Sequence, residues 1–161
     1  MDTGVFVGFL QESLFMLIVF GAFFVYTIST GRQSITNIIL GLYFALLVSL
    51  EFPYYEYILG TSSNGKTQSI LMLLVFGAFT IGATILFARL MPREYSEKKF
   101  EGLWRKLLLA LGATALVMAF SYHALPVTEF VTLGSPIQYL FGGEGSFFWW
   151  LLLPIVILFV T

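Results

Sequence analysis

The 161-residue chain has no cysteine, one histidine (His123) and one aspartate (Asp2). Without thiols there is no disulfide framework, thiolate metal site or cysteine nucleophile. One imidazole is too few for a histidine-based zinc site. Charge is scarce too: Asp, Glu, Lys and Arg make up 11% of the residues, where a soluble domain carries about 25%. The net charge is −1 and no basic stretch interleaves with aromatics, so nothing here points to nucleic acid.

What fills the chain instead is apolar: 58% hydrophobic residues, 18 of them Phe, and a mean hydropathy of +0.91. The expected solvent is lipid, and the expected fold is all-α, a polytopic transmembrane helix bundle forming one domain. A spanning helix needs about 20 largely apolar residues. Four stretches qualify, at about residues 5–28, 34–52, 69–91 and 103–125, the last three closed by Pro53, Pro92 and Pro126. A fifth, 146–161, is shorter and contains Pro154. It is read as a span, with a dip into the bilayer and back as the other possibility. The opening "MDTGVFVGFL" lacks the Lys or Arg of a secretory signal and is expected to stay in the mature protein.

Lys and Arg in short loops set orientation. Arg32 and the group Arg89, Arg93, Lys98, Lys99, Arg105 and Lys106 fall on one side, and Lys66 alone on the other. The N-terminus is therefore expected outside and the charged linker 92–106 in the cytoplasm, in a bacterial inner (plasma) membrane. Tyr54, Tyr55, Tyr57, Tyr122, Trp149 and Trp150 then fall near the outer interface, and Trp104 near the inner one.

"GTSSNGKT", Gly60–Thr67, matches the phosphate-loop pattern G-x-x-x-x-G-K-[ST]. That motif needs a strand before it and a helix after it, plus a metal-holding carboxylate, usually an Asp after another strand. The chain's one Asp is Asp2, no alternation of strands and helices is legible, and Lys66 is expected outside. Gly, Ser, Asn and Lys also suit a plain interhelical loop. The match is read as accidental. No nucleotide and no cofactor are expected.

Ionisable groups inside a membrane segment are costly and are functional candidates by default. Glu12 has apolar sequence on both sides. A helix starting near Val5 puts it about two turns inside. A helix starting at Glu12 puts it at a helix N-terminus, where the dipole suits a carboxylate; the balance favours this second placement. Glu51, Glu56, His123 and Glu129 gather at the outer ends with Asp2, Glu12 and Glu144. A cation-attracting ring or a proton relay through His123 is the sharper reading. The plainer one is that acids occupy outer loops once Lys and Arg are excluded.

Small residues four apart let helices approach closely. Ala78 and Gly82 in the third segment and Ala115 and Ala119 in the fourth have that spacing. The third segment is expected to pack on the fourth, or against another protomer. Thr36 and Asn37 are candidates for bonds between helices.

The layout resembles the colicin V production protein (CvpA) family of bacterial membrane proteins over about residues 14–125. The likeness rests on the turn "STGRQSITN", a third segment ending "FARLMP", a charged linker, and a fourth segment opening "GLWRKLLLALG". Gly31, Arg32 and Gly112 are the matching positions; the C-terminal segment lies outside the resemblance. The resemblance implies an inner-membrane protein tied to export of a toxin peptide or to envelope homeostasis, and it supplies no catalytic residues. The leading expectation is a non-enzymatic accessory or scaffold with Arg32 and the linker as its working surface. The alternative is a small oligomeric channel or proton-coupled transporter using Glu12. The expected partners are the lipid bilayer and a second copy or another membrane protein. An enzyme is not expected, since no Ser–His or Asp–Asp pairing occurs at helical spacing.

Overall fold

A computed structural model of the chain describes residues 3–60, 65–91, 102–123, 125 and 139–161, with residues 3–12, 58, 59 and 144 described through their backbone alone. The fold is all-α, with no strand among the described residues. We number the helices α1 (Thr3–Thr30), α2 (Arg32–Leu50), α3 (Tyr55–Gly60), α4 (Gly65–Leu90), α5 (Leu103–His123) and α6 (Glu144–Val160). α1, α2, α4 and α5 are long and apolar enough to cross a membrane. In lipid a backbone N–H or C=O has no water to bond, so apolar segments of this length close their bonds internally as helices. Side-chain hydroxyls on these helices follow the same rule. Thr27 Oγ1 donates to the Phe23 carbonyl at 2.6 Å, and Thr114 Oγ1 to the Ala110 carbonyl at 2.7 Å.

A single residue separates α1 from α2. Gly31 sits at φ +92°, a backbone region that side-chain-bearing residues rarely adopt, and its N–H closes α1 on the Thr27 carbonyl at 2.9 Å. The "STGRQ" turn is thus a hairpin with a one-residue hinge, and it places Arg32 in the first turn of α2.

α5 is the centre of the bundle. It packs on α1, α2 and α6, while α2 packs on α4, α5 and α1. One core cluster joins Ile35, Ile39, Leu42 and Leu46 of α2 to Phe76 of α4 and to Leu109, Ala113, Leu116 and Phe120 of α5. A second joins Ala115, Met118 and Ala119 of α5 to Phe141, with Phe15, Met16 and Val19 of α1 and Trp150 of α6 against them. α4 reaches α5 through Phe76, whose ring meets Phe120 edge-on at 5.9 Å.

α6 runs the length of the bundle instead of turning back. Beside its first half, Trp150 Nε1 donates to the Leu140 carbonyl at 2.8 Å, and past its last residue the Thr161 carbonyl accepts from Arg32 Nη1 at 3.0 Å. Pro154 inside α6 has no N–H to give. Three residues earlier the Leu151 carbonyl accepts a hydrogen bond from Tyr43 Oη of α2. Pro154 also packs at Gly112 of α5, where an added Cβ would lie 3.6 Å from its Cα and 3.1 Å from Ile157 Cδ1. Gly112 is therefore a point of close helix approach.

Three expectations need correction. The helix of the first segment starts at Thr3 and not at Glu12, which puts Glu12 nine residues in, roughly 13 Å along the axis; its side chain lies outside the described residues. The third segment packs on the second (α4 on α2), and Ala78 and Gly82 face outward: both are exposed, and nothing lies within 4 Å of a Cβ built on Gly82. The close α2–α4 approach uses Gly41, where a Cβ would stand 2.4 Å from Thr84 Oγ1 and 3.1 Å from the Thr80 carbonyl oxygen. Ala115 and Ala119 are buried, at 5% and 0% exposure, against α1 and α6 and not against α4.

Candidate functional site

The antiparallel helices bring Arg32, Met91, Leu109 and Thr161 to one end of the bundle, around a cavity of about 500 Å³. α2 supplies one wall through Arg32, Gln33, Thr36 and Leu40, which share a face at helical spacing. Met91 follows α4, Leu109 belongs to α5, and Leu158 and Thr161 close the α6 side. Two hydrogen bonds frame the opening: Arg32 Nη1 to the Thr161 carbonyl at 3.0 Å, and Gln33 Nε2 to the Met91 carbonyl at 3.5 Å. Each α2 side chain thereby meets a carbonyl at the end of another helix, where carbonyls lack partners within their own helix. The lining is divided, with guanidinium, amide and hydroxyl groups on one part and leucine side chains on the other.

The charged side chains described at this end are basic. Arg32, Arg89, Arg105 and Lys106 stand here, and no carboxylate side chain does among the described residues. Arg89 and Arg105 are exposed, whereas Lys106 is buried at 1% exposure, three residues before Leu109. Of the charged linker, residues 92–101 lie outside the described residues. Asn37 is buried at 4% exposure, next to Thr36, and its Oδ1 has no hydrogen bond. Of the two candidates for bonds between helices, Thr36 faces the cavity instead and Asn37 leaves its oxygen unpartnered.

At the opposite end stand two further candidates, Glu51 and His123. Glu51 is an exposed C-cap of α2. Beside it Ser49 Oγ and Tyr55 Oη hydrogen-bond at 2.6 Å, and Phe52 touches Tyr54, Tyr55 and Phe79. His123 ends α5, with Nε2 at 2.7 Å from the Phe141 carbonyl oxygen and its ring 4.4 Å from that of Phe147. These contacts tie the end of α5 to the segment that leads into α6, a structural task. Glu129 lies outside the described residues, as does the side chain of Glu144. Among the described residues no group of His, Asp and Glu is placed to hold a metal ion.

The described residues of the phosphate-loop pattern lie at two helix ends. Gly60 ends α3, Gly65–Lys66–Thr67 form the first turn of α4 with all three exposed, and residues 61–64 lie outside the described residues. A helix, α3, precedes the pattern where a phosphate loop has a strand.

Arg32 and Thr36 were legible as polar residues opening an apolar segment. Leu109, Leu158 and Thr161 were missed: nothing local marks a leucine as a cavity wall until four helix ends are brought together. Comparison with models of protein families, with curated proteins and with solved structures finds no match. The chain is an all-α bundle with four helices able to cross a membrane. The comparisons place it in no family and lend no support to the colicin V production resemblance.

Proposed function

We propose that this chain is a non-enzymatic multi-pass protein of the bacterial inner membrane that serves as a scaffold or accessory in export or envelope homeostasis. The observation that carries this reading is the closed axis of the bundle. Ile35, Ile39, Leu42 and Leu46 of α2 share one buried cluster with Leu109, Leu116 and Phe120 of α5, at 0–8% exposure. Polar side chains are concentrated at the two ends, which suits a body that holds position in the bilayer and works at its faces. The basic end built on Arg32, Arg89, Arg105 and Lys106 favours a cytoplasmic placement of that end, with the start of α1 outside.

One observation favours a second reading, a channel or proton-coupled transporter formed by several copies. α1 continues through Glu12, and only 6% of its Ser13–Thr30 stretch is buried within the chain. A carboxylate at that depth needs water or a partner, and a second copy could supply either. The deciding experiment is proton and monovalent-cation flux in liposomes holding the purified protein, beside Glu12→Gln. The accessory reading expects no flux above empty liposomes from either. Flux that the substitution lowers tenfold or more would establish the oligomeric path and overturn it. A cysteine at Asn64 checks orientation: it should react with an impermeant thiol reagent added outside intact cells, and labelling only after lysis would invert the topology.

A further inference from the structure

We infer that the cavity at the Arg32 end binds the phosphate-bearing head group of an anionic membrane lipid. The cavity opens where α2 begins and where α4 and α6 end. That is the level at which apolar spans give way to the interface and lipid phosphates reside. Its lining is amphiphilic in the same sense as a lipid. Arg32, Gln33 and Thr36 present a cation and hydrogen-bonding groups, while Leu40, Leu109 and Leu158 present hydrocarbon. A free phosphate ion would gain nothing from the leucines, and an acyl chain alone would gain nothing from the guanidinium. A head group followed by its first methylenes uses both parts.

The charge is of the right sign and the right shape. A guanidinium is planar and can meet two phosphate oxygens at once, which an ammonium cannot do. Arg32 Nη1 already donates to an oxygen, the Thr161 carbonyl at 3.0 Å. A phosphate would compete with that main-chain oxygen for the guanidinium. Arg89, Arg105 and Lys106 add to the positive field of this end, which raises the local concentration of anionic lipid. The volume, about 500 Å³, lies within the range of roughly 300–1,000 Å³ usual for small-molecule sites. It admits a head group and the start of a chain, with the rest of the chain left in the bilayer.

The test uses the full chain purified in detergent, with thermal unfolding measured in mixed micelles. Phosphatidylglycerol in about hundredfold excess over its dissociation constant should raise the Tm by roughly 5–10 °C relative to phosphatidylcholine. Inorganic phosphate at the same concentration should leave it unchanged. Arg32→Gln should abolish the difference between the two lipids, while Arg89→Gln, on the exposed surface of the same end, should keep it. Leu158→Trp fills the apolar wall, retains Arg32, and should also abolish the difference; it decides the matter if Arg32→Gln does not fold. Equal effects of the two lipids on the wild type overturn the inference. So does a difference that survives both cavity variants, or one that Arg89→Gln removes as fully as Arg32→Gln. A shift reproduced by inorganic phosphate alone identifies a free-anion site and overturns the lipid assignment.

Discussion

The most apolar 18-residue stretch of α4 has a mean hydropathy of 2.5, the highest among the four long helices, and 11% of it is buried; that of α5 has the lowest, 1.6, and 61% of it is buried. In water the order would be reversed, because burial follows hydropathy. In lipid there is no gain in moving a leucine from hydrocarbon to a leucine-lined core, and helices associate through close packing and satisfied polar groups. α5 is suited to the interior by its small side chains. Ala110, Gly112, Ala113, Ala115 and Ala119 are all buried, which lets α1, α2 and α6 lie close on its different faces. α4 turns Leu74, Ile81, Ile85 and Leu90 outward, as a helix solvated by acyl chains should.

The sharpest way to break this comparison is to shorten one leucine on each helix. Leu116 of α5 is fully buried and Leu74 of α4 is 64% exposed. Leu116→Ala leaves a cavity in a closed core and should cost about 2–5 kcal/mol. Leu74→Ala should stay within about 0.5 kcal/mol, because lipid fills the space as it does in the unfolded reference. Reversible unfolding in mixed micelles measures both. Equal costs would mean that α4 is covered in the assembled protein and that its exposure here is the exposure of a lone chain.

A smaller effect separates two glycines. At Gly41 of α2 an added Cβ meets Thr84 Oγ1 at 2.4 Å and the backbone oxygen of Thr80 at 3.1 Å, so the helices must part. Gly41→Ala should cost about 1–3 kcal/mol by overpacking, and adding Thr84→Ala should recover part of it. Gly82 of α4 meets open space, so Gly82→Ala should be neutral or stabilising by up to about 1 kcal/mol through reduced backbone freedom in the unfolded chain. A loss at Gly82 comparable to that at Gly41 would show that the outward Ala78–Gly82 face packs against a second copy.

These pairs also show what could be read in advance. The spans were legible because about 20 apolar residues admit little besides a spanning helix, and the prolines after them fixed their ends to within a few residues. Which face of each helix turns inward was not. With 58% hydrophobic residues there is little polar–apolar contrast to follow, and α4 is apolar nearly all round. Ala78–Gly82 and Ala115–Ala119 have the same spacing, yet one faces out and the other in, because spacing states that a helix can be approached and not that anything approaches it. The glycine that does bring two helices together, Gly41, had a signal of its own. Asn37, Gly41 and Ala45 recur every four residues along α2, and all three are buried. Arg32 was legible as a polar start to α2. The cavity it borders was not, since its walls come from residues 32 to 161.

The least effect is expected at Asn37, one turn from Gly41. Its Oδ1 is buried without a hydrogen bond, whereas the buried hydroxyl of Thr114 on α5 is satisfied by the Ala110 carbonyl at 2.7 Å. An unsatisfied buried acceptor costs the folded state the desolvation of that group. Leucine has nearly the same shape and no such cost, so Asn37→Leu should leave stability unchanged or raise it by about 1 kcal/mol. The same micelle unfolding reads it, with Asn37→Ala as a control that removes the amide but leaves a void. A loss of more than about 1 kcal/mol from the leucine variant would mean that the carboxamide is satisfied in the membrane, by water or by a second chain. Burial of α2 would then depend on a polar link, as in a water-soluble core, and α5 alone would follow the small-residue rule.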